Sequence, residues 1–287
     1  MRKASAATRA KSSEYLGLSA VGDDPRLRAV RAYWNSHVDD WKVAKSAPGT
    51  AAFFREIEEY RFEKLHYLPR LVDFEGFSGK SLLDVGCGVG NDTSRFARGG
   101  ALVTGIDLAP HSIDLAKRNF AQRKLKGTFL VMNGERMDFP SNHFDAVYCH
   151  TVLHFTPSPE AMLAEIHRVL KPGGQAIVMT VNRRSWLMFM HTVAKVEIDY
   201  LDAPVFNSYS IPEFRRMLGV FSRVEIVPER FPVATKVHGG AKAALFNTVF
   251  VSAFNMLPKA MTRSSGHHLI AFCGKDEPAR ASSGNAR

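Results

Sequence analysis

Cysteine is scarce: Cys87, Cys149 and Cys273 lie far apart in 287 residues and form no CxxC pair. That excludes a disulfide framework, argues against a zinc site and favours a reducing, cytoplasmic setting. Long apolar runs are missing too, and none approaches the roughly 20 residues a membrane-spanning helix requires. Residues Met1–Ala20 lack the compact apolar core of a secretory signal. They are rich in Ala, Ser and basic residues, with no acid before Glu14, which reads as a disordered tail over 1–24 rather than a transit peptide. A second tail is expected over 276–287. No internal repeat interrupts the span between, so one domain over 25–275 is expected.

Acid is absent from one long stretch. Phe231–Lys275 carries Lys236, Lys242, Lys259, Arg263 and Lys275 with neither Asp nor Glu. With Arg2, Lys3, Arg9 and Lys11 in the tail, it holds much of a formal net charge of +10. Charge concentrated in this way attracts an anionic substrate, an acidic membrane surface or nucleic acid.

What is present is a regular alternation. From Asp24 to Leu71 the pattern is helical and aromatic-rich, broken at Pro48-Gly49-Thr50, with Thr50 a candidate N-cap for the second part. This gives an N-terminal helical segment over 25–75. Short apolar runs then predict buried strands at Ser81–Val85, Ala101–Ile106, Thr128–Met132, Phe144–Cys149 and Gln175–Val181. Helical patterns at Asp92–Ala97, Ser112–Arg123 and Pro159–Leu170 separate them. Strand alternating with helix implies βαβ units and a parallel sheet that binds ligands along its C-terminal edge. A helix near Pro212–Leu218 and strands at Arg223–Val227 and His268–Cys273 follow. Between those last strands lies a cap insertion over 231–267. Its core, Ala243–Leu257, places Phe246, Phe250 and Phe254 on one helical face beside Leu245, Val249 and Ala253. The plain reading is a packed cap; the alternative is peripheral membrane contact.

The stretch Leu82–Asp107 carries the first chemistry. Leu-Leu-Asp-Val-Gly-Cys-Gly-Val-Gly-Asn-Asp (82–92) is a strand, a glycine turn and a helix start. Gly86, Gly88 and Gly90 let the backbone turn sharply and approach a ligand without Cβ atoms. Asp84 ends the strand, where a carboxylate can reach a polar ligand group or order the loop, and Asn91 or Asp92 can cap the helix. The spacing is GxGxG, not the GxGxxG of dinucleotide dehydrogenases. The second strand ends Val-Thr-Gly-Ile-Asp, placing Asp107 to accept from both ribose hydroxyls of a bound adenosine. Glycine loop and acid together point to a nucleoside-containing cofactor.

In order from about Tyr60 to Val181, the chain resembles class I methyltransferases. LLDVGCGVG resembles their first motif, VTGIDLA their second, and MNGERMDFPSNHFDAVYCHTVLHF the segment around their fourth strand. LAEIHRVLKPGGQAIVMT resembles the helix, Lys-Pro-Gly-Gly turn and strand that complete the core. The resemblance implies S-adenosyl-L-methionine as cofactor, with Asp84, Gly86, Cys87, Gly88 and Gly90 around its methionine part. It places Asp107 on the ribose and Leu108 beside the adenine. Asn133, with Gly134 next to it, stands where the family usually has an acid contacting the adenine amino group; an amide oxygen can accept the same bond. Glu135 is a nearby alternative, or simply solvated. Tyr60 joins the cofactor-binding candidates; with Trp34 and Phe155 it could face the sulfonium, core packing being the plainer reading. The implied fold is α/β and Rossmann-like, a doubly wound seven-stranded sheet whose last strand is antiparallel. The nearest style is that of small-molecule, quinone-biosynthesis enzymes.

Methyl transfer from a sulfonium needs alignment and exclusion of water, and a general base only where the acceptor must lose a proton. After the fourth strand, Cys-His-Thr-Val-Leu-His-Phe (149–155) is where that family faces its substrate. His154 is the first candidate base and His150 the second; either could instead bond backbone at the strand end. Tyr200 and Tyr209 are candidate pocket residues, and Cys87 is a small filler rather than a nucleophile. The expected partner is a small, apolar or anionic molecule. A nucleic-acid methyltransferase is the alternative, but no Asn-Pro-Pro-Tyr-like motif and no RNA-binding module accompany it, so no nucleic acid is expected. A third reading is a cofactor-binding or docking module without catalysis.

Overall fold

A computed structural model describes residues 24–38, 40–234, 244 and 246–277. Nearly all of the expected tails, and Lys236, Lys242, Ala243 and Leu245 of the expected cap, lie outside the described residues. Seven strands form one sheet in the order β3-β2-β1-β4-β5-β7-β6. They are β1 (Ser81–Val85), β2 (Leu102–Asp107), β3 (Thr128–Val131), β4 (Phe144–Cys149), β5 (Leu170–Val181), β6 (Arg223–Glu229) and β7 (His268–Gly274). The first five are parallel. β7 runs antiparallel to both β5 and β6, as the family resemblance implied. Strand boundaries fall close to those read from the apolar runs, because a strand buried on both faces must be apolar along its length. The exception is β5, which starts at Leu170 and not at Gln175, its Lys-Pro-Gly-Gly stretch carrying no apolar run.

Helices cover both faces: α1 (Pro25–Ser36), α2 (Ala51–Lys64), α3 (Asn91–Arg98), α4 (Pro110–Arg123), α5 (Pro159–Val169), α6 (Trp186–Ala194) and α7 (Ile211–Met217). One large apolar cluster lies on each side of the sheet, around Leu83, Val147 and Ile166 on one side and Leu82, Phe96 and Ile270 on the other. Thr50 caps α2 as expected, its Oγ1 accepting from Phe53 N at 3.2 Å. The stretch before it departs from the reading, for between Ser36 and Thr50 only Trp41–Val43 forms a turn of helix. α6 was not foreseen. Its sequence, WLMFMHTVA, has too few polar residues to show a helical period, though Ser185 caps it.

Ion pairs on the buried Glu58 fix α2 against its neighbouring helices. Glu58 receives Arg95 at 3.2 Å, Arg98 at 2.5 Å and Arg123 at 2.7 Å, which ties α2 to α3 and α4. Burial raises the Glu58 carboxyl, but the guanidinium groups of Arg98 and Arg123 outweigh it and hold it below its usual value. Anchored in this way, α2 delivers Arg61 and Lys64 to the C-terminal edge of the sheet.

Candidate active site

Parallel register brings the ends of β1, β2 and β4 to one edge: Asp84 pairs with Gly105 on one side and Tyr148 on the other. A single cavity spreads over that edge, from Asp107 and Asn133 to His154 and Arg230. β7 contributes through its direction. Because it is antiparallel, its first residue, His268, pairs with Val181 at the end of β5. His267 and His268 therefore enter the same cavity.

The loop after β1 folds over the tip of β2, with the Gly86 and Cys87 amides donating to Ile106 O at 2.8 and 2.9 Å. Gly86 has φ +70°, and a Cβ there would meet the Val152 side chain at 2.2 Å, so packing as well as the turn demands glycine. Gly88, at φ +53°, faces open space on the cavity side. Gly90 does not line the cavity; it is the N-cap position of α3. Capping by Asn91 or Asp92 is thereby corrected, since both lie inside the helix and no side chain caps it. Asp92 is instead bound by Arg61 through two bonds of 2.7 and 2.6 Å and by Tyr148 Oη at 2.9 Å.

Asp84 accepts from Thr93 Oγ1 on α3, which orders the loop. Burial pushes its carboxyl up to about 7, with a further upward push from Asp92. Asp107 accepts from Gly88 N at 3.0 Å and Ala109 N at 2.8 Å, and burial raises it while those bonds hold it down. Leu108, Asn133 and Gly134 line the cavity with it. Asn133 Oδ1 accepts from Glu135 N at 2.9 Å, leaving its second lone pair and its amide donors. Glu135 is partly exposed and does not line the cavity; it accepts from Thr156 Oγ1 and Ser158 N, pinning the segment after β4. Tyr60 and Tyr209 also stand outside the cavity, Tyr60 beneath the Lys64 ammonium at 5.5 Å and Tyr209 through its amide on Val181 O at 2.9 Å. Cys87 lines the cavity, and burial pushes its thiol well up, so it stays protonated.

The two candidate histidines differ. His150 Nδ1 lies 3.2 Å from Arg61 Nη2 and its Nε2 lies 3.3 Å from Tyr67 Oη. A guanidinium only donates, so His150 Nδ1 accepts and its proton sits on Nε2. Tyr67, fully buried, then meets His268 Nδ1 at 2.5 Å, and His268 Nε2 lies 3.2 Å from Arg230 Nη1. Donors stand at both ends of this chain, and both nitrogens of His150 and of His268 are engaged. His154 Nδ1, by contrast, is buried without a partner. Burial holds His150 and His154 down at about 3, so both are neutral near pH 7.

Around His154 stand aromatic rings: Phe155 at 4.1 Å and Phe206 at 5.9 Å between centroids, with Trp34 at 4.9 Å and Tyr200 at 6.3 Å from Phe155. Charges complete the wall. Lys64 bridges Asp40 at 3.1 Å and Asp199 at 2.9 Å, and Arg230 reaches Asp199 at 3.3 Å. None of Arg61, Lys64, Tyr67, Asp199, Arg230, His267 or His268 emerged as a site residue from the sequence. For His267 and His268 a signal existed, a His-His pair at the start of a strand expected to run antiparallel.

Fit to an adenosyl amino acid rests on this donor set. Asn91 lines the cavity, and its Oδ1 is buried with no hydrogen-bond partner, an acceptor left over for a donor such as an ammonium group. Gly88 leaves room beside it, and Asp107 offers a carboxylate at the tip of β2, where open α/β sheets hold a ribose. The fold is that of the class I S-adenosylmethionine-dependent methyltransferases, and residues 83–178 match the family described as "Methyltransferase domain". A ubiquinone biosynthesis O-methyltransferase of Coxiella burnetii is 31% identical over 134 residues, 47% of this chain and 56% of that protein. Its namesake from Pseudomonas paraeruginosa is 34% identical over 156 residues, 52% of this chain and 66% of that protein. The chain thus spans between half and two thirds of the curated relatives it matches. Among solved structures, a SAM-dependent methyltransferase from Aquifex aeolicus superposes with a TM-score of 0.51 at 18% identity, covering 80% of this chain and 98% of that one. The [4+2]-cyclase SpnF gives 0.51 at 20% identity, covering 92% and 97%. These likenesses establish the fold; the reaction has to be argued from the site.

Proposed function

We propose that this protein transfers a methyl group from S-adenosyl-L-methionine to a hydroxyl of a small, largely apolar molecule. Bound cofactor supplies an electrophilic methyl on a sulfonium whose positive charge is lost on transfer. Asp107 accepts from the ribose hydroxyls, Leu108 packs on the adenine, Asn133 bonds its polar edge, and Asn91 Oδ1 accepts from the ammonium. The aromatic wall of Trp34, Phe155, Tyr200 and Phe206 holds the acceptor and keeps water out. His154 Nδ1 takes the acceptor's proton in the same step. A cation there is costly in so buried a place, but it appears as the sulfonium charge vanishes, so the cavity's net charge stays constant.

The uncommitted His154 nitrogen carries this reading, because a base is needed only for an acceptor that must lose a proton. The O-methyltransferase names of the relatives support oxygen as the accepting atom. Incubation of the purified chain with methyl-labelled cofactor and a panel of phenolic, quinol, thiol and amine acceptors tests it. Label on a phenolic or quinol oxygen is expected. Cofactor binding with every acceptor unlabelled would remove the proposal.

A further inference from the structure

Beyond the cavity, two stretches, 183–196 and 246–263, combine exposed apolar side chains with cations and contain no acid of their own. On α6, Trp186, Phe189 and Val193 share one helical face, since they are spaced by three and four residues. Phe189 is 62% exposed and Val193 60%. Trp186 packs on Phe246 and Phe250 at 6.1 and 5.8 Å between centroids, and its amide donates to Ser265 O at 2.9 Å. Segment 246–263 is thereby held against α6 and brings Val249, Leu257, Met261 and Met256 as further exposed apolar side chains, the last 85% exposed. Single exposed apolar residues are ordinary on a protein surface, but a contiguous set of this kind marks an interaction site.

Charge chooses the partner. Residues 183–196 contain Arg183, Arg184 and Lys195 and no acid, and residues 231–275 contain none either. Arg183 is taken up by Glu213, whereas Arg184, Lys195, Lys259 and Arg263 lie exposed in the same two stretches as the apolar set. Two-fold pairing with a second copy would set these cations against their own images with no carboxylate to receive them. An anionic surface suits both features at once, with methionine, leucine and phenylalanine entering the interfacial zone and the ammonium and guanidinium groups meeting lipid phosphates. No helix among the described residues is long and apolar enough to cross a membrane, so the contact is peripheral.

We infer that the face formed by α6 and residues 246–263 docks on an anionic lipid bilayer. This extends the functional reading without depending on it, because vesicle binding needs neither cofactor nor acceptor. The test is co-sedimentation of the full chain with phosphatidylcholine vesicles, with and without phosphatidylglycerol. The wild-type chain is expected to sediment only with the phosphatidylglycerol vesicles. Two double variants, Phe189→Ser with Met256→Ser and Lys259→Glu with Arg263→Glu, should each bind roughly tenfold more weakly or worse. Both alter exposed side chains only, and circular dichroism confirms their folding. Failure of the wild-type chain to bind overturns the proposal. So does undiminished binding by both variants, which would place the contact on the basic N-terminal residues. A wild-type dimer that Phe189→Ser with Met256→Ser makes monomeric in light scattering would also overturn it, assigning the face to a second copy.

Discussion

Within the cavity, what separates His154 from His150 is the state of a nitrogen. Both are buried and both are neutral, but His150 spends one nitrogen on Arg61 and the other on Tyr67, whereas His154 Nδ1 has no partner. His154→Gln is accordingly expected to leave affinity for S-adenosylhomocysteine within about twofold while turnover falls roughly 10²-fold or more. Calorimetry and initial rates on an acceptor from the labelling panel check this; unchanged turnover would take His154 out of the mechanism. The distinction was only half legible in the sequence. Asp84, Asp107 and the two histidines could be picked out because each lies at or shortly after the end of a recognisable strand. The partners that decide their chemistry come from remote positions: Arg61 from α2, Tyr67 from the turn after it, His268 from β7. No local pattern announces such contacts, and only the topology creates them.

Helices and strands were legible to different degrees for a physical reason. A strand buried on both faces leaves a continuous apolar run, and a helix on a sheet leaves a stripe, so β1 to β5 and α3 to α5 stood out. α6 left neither, because its outward residues, Phe189 and Val193, are apolar as well. At the N-terminus the aromatic spacing overstated the helix, since Trp34 and Trp41 serve the cavity and the loop rather than one continuous face. The cap of α2 was read correctly because capping chemistry is local. Thr50→Ala removes the acceptor of the Phe53 amide and should cost about 1 kcal/mol. Urea unfolding monitored by circular dichroism measures it, and a midpoint equal to that of the wild-type chain would show that packing alone sets the start of α2.

The molecule as a whole closes neutral histidines beneath its N-terminal helices. His150, His154, His267 and His268 are all held below their usual value, desolvation being the largest cause in each. The unfolded chain takes up protons at these sites below about pH 6.5, whereas the folded chain does not until near pH 3 for His150 and His154. Stability is therefore present above about pH 6.5 and lost on acidification, by up to roughly 1.4 kcal/mol per pH unit for each histidine. Asp84 works in the opposite sense. Its raised value stabilises the fold below its unfolded value and loses that contribution as pH rises towards about 7. Burial raises the Asp107 and Glu229 carboxyls as well, but the four histidines outnumber these three acids, so the melting temperature should fall from pH 7 to pH 5 in a scanning fluorimetry series. A flat or rising profile would mean that these rings reach water. The central claim, however, is that the loop after β1 and the tip of β2 hold the adenosyl cofactor. Isothermal titration of the full chain with S-adenosylhomocysteine, alongside Asp107→Asn, tests it most directly. One equivalent bound by the wild-type chain, and affinity weaker in the variant by roughly 10- to 100-fold, is the expected result. No binding by the wild-type chain, or equal affinity in both, would contradict it.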